Sequence, residues 1–207
     1  MINRSQNYFE QLVQVIPTLP FESIDHIVST LYEAYERRRT IFLFGNGGSA
    51  SLASHMACDL GKGTSSQRRT KRVRVVALTD NLPTITAYAN DAGYENIFSE
   101  QLKNLAQPSD VALAISCSGN SPNVVKALQV ARSLKMITIG IGGFEGGKMK
   151  TLCDIPLIVP SENMQFIEDL HLCIAHCIFT VLSSRIAAPV PITTPVAVVS
   201  TRSSVAR

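Results

Sequence analysis

The spacing of apolar positions changes character along the chain. Residues 3–16 set Tyr8, Leu12, Val13 and Ile16 on one helical stripe, which Pro17 and Pro20 close. A second helical pattern runs from about residue 22 to 38 and turns Ile24, Ile27, Val28, Leu31 and Ala34 to one side. It predicts Arg37, Arg38 and Arg39 in the last turn, against the negative end of the helix dipole. From residue 40 the pattern becomes an alternation. Near-continuous apolar runs at 40–44, 73–78, 111–116, 136–141 and 155–159 read as strands. Helical stretches fall between and after them, at 49–61, 81–89, 94–105, 122–133, briefly near Met149, and at 164–186. Strands this apolar are buried on both faces, so the alternation predicts an α/β fold: a five-stranded, largely parallel sheet flanked by helices. Two helices ahead of the first strand exceed what one sheet needs, and an oligomer interface is their expected use. The organisation expected is a helical oligomerisation segment at 1–38, the α/β domain at 39–186, and an extended or disordered tail at 187–207, rich in Pro, Ser and Thr.

Composition narrows the class. Hydrophobic residues make up 45% and charged ones 17%, the balance of a soluble globular chain. A net charge of +3 is too small to argue for nucleic acid, and the cluster Arg68, Arg69, Lys71, Arg72 and Arg74 reads as a solvated loop face. Five cysteines without regular spacing point to reduced thiols and a cytoplasmic setting, with Cys58, Cys173 and Cys177 expected on buried helix faces. No apolar run reads as a membrane span, and the amphipathic start does not read as a signal peptide.

The chemistry gathers where strands end. After the first strand come Gly45, Asn46, Gly47, Gly48 and Ser49, then a helix. Glycines let backbone N–H groups approach a ligand, and a helix start adds positive partial charge, so the stretch reads as a phosphate or sugar cradle; a plain tight turn is the alternative. It is neither the dinucleotide fingerprint nor the nucleotide P-loop. His55 and Asp59, four residues apart, share a face of that helix as a metal or acid/base pair. A second loop follows the strand at 111–116: Ser116, Cys117, Ser118, Gly119, Asn120, Ser121 and Pro122. Three hydroxyls at one helix start suit a phosphate dianion, and Pro122 fits the first helical position, where its missing donor is not needed.

Together GNGGS, ISCSGNSPNV, HMACDL, EDLHLCIAH and the alternation resemble the sugar isomerase (SIS) domain family, and within it the phosphoheptose isomerase group, over about residues 5–186. The resemblance implies a homotetramer with sites at subunit interfaces and a sugar-phosphate substrate, sedoheptulose 7-phosphate, isomerised to D-glycero-D-manno-heptose 7-phosphate through an enediol. It places Asn46, Gly47 and Ser49 in a first ligand loop, Ser116, Cys117, Ser118 and Ser121 in a phosphate loop, and Asp91 and Gln165 at substrate. It makes His55, Asp59, Glu168 and His176 the ligands of one Zn2+, with Asp59 or Glu168 as base and His176 as acid. The departures are specific. Asp59 stands for the group's glutamate, Glu168 for a glutamine, Gln165 for an aspartate and Cys117 for a threonine, while Gly63 replaces an arginine beside Lys62. His171 and His26 are expected to be structural. A non-catalytic tetramer of the same fold, binding a sugar phosphate or a protein as the related replication-initiation regulators do, is the alternative function; an SIS sugar-phosphate sensor or amino-sugar phosphate lyase is a third.

Overall fold

The computed structural model describes residues 4–65 and 71–188, so the expected tail beyond residue 188 and the arginines at 68 and 69 lie outside the described residues. Helices α1 (Ser5–Val15) and α2 (Phe21–Glu36) lead into β1 (Thr40–Gly45) and α3 (Gly48–Cys58). Then come β2 (Arg74–Ala77), α4 (Leu82–Ala92), α5 (Ser99–Leu105), β3 (Val111–Ser116) and α6 (Pro122–Ser133). The chain closes with β4 (Ile137–Gly143), α7 (Met149–Leu152), β5 (Ile155–Val159) and α8 (Met164–Ala187). Every strand pairing is parallel, in the order β2-β1-β3-β4-β5.

Side chains alternate across the sheet and build two cores. Ile41 and Leu43 of β1, Leu113 and Ile115 of β3, and Ile139 and Ile141 of β4 face α2, α3 and α8. Phe42 and Phe44 point the other way and meet the small Ala112 and Ala114, with α5 and α6 behind them. Large rings stand opposite alanines across that layer, so bulky and small side chains alternate. The order reverses between β1 and β3, and both strands end at one edge, where ligands bind in sheets of this kind.

The inward face of α2 is buried as its pattern predicts: Ile24, Ile27, Val28, Leu31 and Ala34 all lie in the core. The arginines do not extend it. Arg37 caps the helix and Arg38 takes φ 56°, the left-handed conformation that ends a helix, so none of the three stands in its last turn. No residue of α1 is fully buried: Tyr8 packs edge-on against Phe166 and Leu12 rests against the core, while Val13 is 56% exposed. At 24 residues, α8 is long and apolar enough to cross a membrane by length and composition, contrary to the sequence reading. It is a core helix: Ile167, Leu170, Ile174, Ile178 and Leu182 are buried against the sheet.

Candidate active site

Both loops leave the sheet where β1 and β3 end. Gly45 must be glycine, because a Cβ there would stand 2.6 Å from the Ile115 carbonyl and 2.8 Å from Ser49 Cβ. Gly47 takes φ 54° and ψ −123°, a conformation open to glycine, and turns the chain into α3 within two residues. Between them Asn46 is clamped. Its amide exchanges hydrogen bonds with the Asn123 amide at 2.9 and 2.8 Å, and its Oδ1 also accepts from the Tyr94 hydroxyl at 3.2 Å. Asn123 is buried at the second position of α6, so this pair ties the first loop to the second. Leaving such an amide unpaired costs about 1–3 kcal/mol. Asn123 and Tyr94 are site residues that the sequence reading passed over; a second asparagine just after the Ser-Pro helix start was the available signal.

The second loop is held from within. Gly119 N–H donates to the Ser116 carbonyl at 3.1 Å, and Asn120 N–H to Ser118 Oγ at 3.3 Å. The Asn120 side chain donates to the Ser118 carbonyl and accepts from Lys148 N–H, both at 3.1 Å. Ser121 stands at the helix cap yet makes no capping bond, and its hydroxyl lies 3.5 Å from that of Ser116. The serines are therefore not consumed by capping. A cleft of about 160 Å³ opens among Asn46, Ser49, Ser116, Ser118 and Ser121, with Cys117, Met164 and Glu168 on its walls.

A second groove, about 240 Å³, continues between α3 and α8. Gly48, Ser51, Leu52 and His55 line one side, and Glu168, His171 and Leu172 the other. Ser49 and Glu168 belong to both spaces. Further along the same seam, His55 Nε2 and His176 Nε2 stand 3.1 Å apart. Asp59 Oδ2 lies 3.3 Å from the first and 3.9 Å from the second. Asp59 reaches this point where α3 gives way to a π-helical turn, Asp59–Gly63. Among the described residues this is the group able to hold a metal ion, and Glu168 is not part of it. Nitrogen and oxygen ligands about 2.0–2.2 Å from one tetrahedral ion sit about 3.3–3.5 Å from each other, so the three donors fit a zinc-sized ion with small adjustments. The Phe179 ring lies 2.6 Å from where a Cβ on Gly63 would be, so a side chain there would have to displace the ring.

Burial and the neighbouring Glu168 push the Cys117 thiol up from its ordinary value, so it stays protonated and faces Glu168 Oε1 at 3.9 Å. Burial pushes His171 down. Its Nε2 lies 3.0 Å from the Gly142 carbonyl, an acceptor, so that nitrogen carries the proton of a neutral ring, in the structural role expected. Asp91 lies on α4, accepts from the Asn90 side chain at 2.8 Å, and is outside both spaces. Gln165 sits in the first turn of α8 beside Met164 without lining the cleft. Cys58, Cys173 and Cys177 are exposed, not buried as expected, because the outer sides of α3 and α8 are uncovered in the single chain.

Known proteins resemble the chain over most of its length. Residues 6–143 match the family model described as SIS domain. The chain is 38% identical over 178 residues to a phosphoheptose isomerase of Aliarcobacter butzleri, covering 86% of this chain and 93% of the relative. It is 41% identical over 155 residues to that of Helicobacter pylori, covering 75% and 80%. The solved structure of a phosphoheptose isomerase from Francisella tularensis superposes with a TM-score of 0.81 at 30% identity, covering 86% of this chain and 96% of that one.

Proposed function

The chain belongs to the SIS domain family, in its phosphoheptose isomerase group, and we propose that it converts sedoheptulose 7-phosphate to D-glycero-D-manno-heptose 7-phosphate. It is an aldose–ketose isomerase. The observation that carries the reading is one continuous seam: a hydroxyl-lined cleft at one end and a His–Asp–His cluster at the other, joined along α3 and α8.

In this reading Ser116, Ser118 and Ser121, with the start of α6, hold the phosphate, and Asn46, Gly47, Ser49 and the Cys117 backbone hold the rest of the chain in place. Asp91 and Gln165 contact substrate on the strength of the resemblance. Asp59 meets both imidazoles through Oδ2, which leaves Oδ1 for the reacting proton. Asp59 takes the proton from C1 while His176 protonates the carbonyl oxygen on C2, giving the enediol. His176 then removes the proton from the C1 hydroxyl and Asp59 returns its own to C2, so no atom is gained or lost. His55, Asp59 and His176 would hold the metal, zinc by the chemistry of the donor set, and when bound it polarises the substrate carbonyl. Glu168, outside that cluster, serves the substrate side of the seam.

The protein is incubated with sedoheptulose 7-phosphate in D2O and followed by proton NMR. Aldose signals with deuterium at C2 are expected. Binding without conversion, after zinc supplementation, would leave only a sugar-phosphate binding protein. The reading extends to a cytoplasmic homotetramer, supported by Phe9 and Val13 exposed on α1 and by Val181 exposed on α8. Removing residues 1–20 should give a smaller species by light scattering; a truncated protein of unchanged mass refutes that part.

A further inference from the structure

We infer that Asn123 is a positioning residue: it holds the Asn46 amide in one orientation, with an N–H left for the substrate, so that Asn46 donates to a sugar oxygen. The inference rests on the reading that the cleft between the two loops binds the sugar phosphate. The orientation follows from one backbone group. Val124 N–H can only donate, and it meets Asn123 Oδ1 at 2.9 Å, which fixes the oxygen of that amide. The Asn123 nitrogen then faces Asn46 and donates to its Oδ1 at 2.8 Å. Asn46 Nδ2 returns a bond to Asn123 Oδ1 at 2.9 Å, and the Tyr94 hydroxyl takes the second lone pair of Asn46 Oδ1 at 3.2 Å. The Asn46 oxygen is filled, and one N–H of its nitrogen remains to give.

The two asparagines divide the work. Asn46 lines the cleft with the loop serines. Asn123 is only 2% exposed and does not line it, so it reaches a ligand through Asn46. The main chain alone does not set the amide. The Asn46 carbonyl accepts from Ala50 N–H at 3.2 Å, which fixes the backbone at the start of α3, but the side chain must still cross to α6. Without its partner a half-buried amide can turn about its last torsion, where the preference is broad, and exchange donor for acceptor. An N–H aimed in advance spares the cost of ordering it when the sugar binds.

The test is a double-mutant cycle in the full chain, read by calorimetric affinity for sedoheptulose 7-phosphate and for inorganic phosphate, with kcat beside them. Asn123→Ala should weaken sedoheptulose 7-phosphate about tenfold and leave kcat within about threefold of native, the scale of one misdirected hydrogen bond. Asn46→Ala should do the same, and the double variant should be no more than about twofold worse than Asn46→Ala. Inorganic phosphate should bind the native and variant proteins alike, because the serines hold it; a purely structural collapse of the helix start would weaken it too. Asn123→Asp guards against an alanine variant that fails to fold. It keeps the bond from Val124 N–H but sets an oxygen against Asn46 Oδ1, so the sugar phosphate should weaken as in Asn123→Ala. Losses that multiply in the double variant, native affinity in Asn123→Asp, or weaker inorganic phosphate in either Asn123 variant overturn the positioning role and leave the cleft reading standing. A native protein that does not bind sedoheptulose 7-phosphate overturns both.

Discussion

The two ends of the seam are built in different ways. The loop end is made by the backbone: Gly45 and Gly47 allow the turn, short-range hydrogen bonds fix Ser116 to Asn120, and the loops themselves offer a ligand uncharged groups. The cluster end is made by side chains, on two helices whose meeting depends on the whole core. A ligand loop of the first kind is a local property of its sequence. An imidazole pair of the second kind exists only once α3 and α8 are packed side by side.

That difference can be broken from either end. His176→Ala should remove the acid and one metal ligand, lowering kcat by about 10²–10⁴-fold and bound zinc by elemental analysis. Binding of a sugar phosphate by calorimetry should survive it, because the loops do not depend on that side chain. Loss of phosphate binding in the same variant would show that the two ends are not separable. Gly45→Val strikes the element they share. Its Cβ would fall 2.6 Å from the Ile115 carbonyl, so β1 and β3 must shift at a cost of about 1–3 kcal/mol, visible in urea unfolding. An unchanged midpoint would remove the close approach as the reason for this glycine.

Ser118→Ala acts on the loop end alone. KM for the sugar phosphate should rise about tenfold with kcat near its native value, the scale of one charge-assisted hydrogen bond. A fall in kcat at constant KM would move Ser118 to the reacting end. The smallest effect expected is at His171, between the two. Its folded value lies below the ordinary 6.5, so below pH 6.5 the unfolded chain binds a proton that the folded one resists. The contribution is therefore whole above pH 6.5 and is lost as pH falls through the depressed folded value. His171→Gln, compared with the native protein by thermal melting across that range, should show the shallower loss; parallel slopes would acquit this residue.

The same contrast decides what could be read from the sequence. The strands at 111–116 and 155–159 and the helix at 122–133 stand at the expected residues, because glycine, proline and sharp changes of polarity mark their ends. The loop hydroxyls were legible for the same local reason. The π-helical turn at Asp59 and the place of Glu168 outside the metal group were not, since both follow from how α8 lies on α3. Cys58, Cys173 and Cys177 sit in apolar stretches that a single chain leaves uncovered, so hydropathy alone misjudged their exposure. Arg38 was misjudged because a left-handed residue at a helix end is coded by the turn that follows, not by the helix pattern.

The separation of 121 positions between His55 and His176 also sets a timetable. At synthesis rates of about 5–20 residues per second, α3 leaves the ribosome on the order of ten seconds before α8 does. By the end of that interval both ligand loops and all five strands can be present while the core face that α8 covers is still bare. The nascent chain is then a sticky, inactive intermediate, and the docking of its last helix is the step that hides the apolar face and switches the catalyst on. Chaperone demand and the onset of activity should accordingly end and begin together.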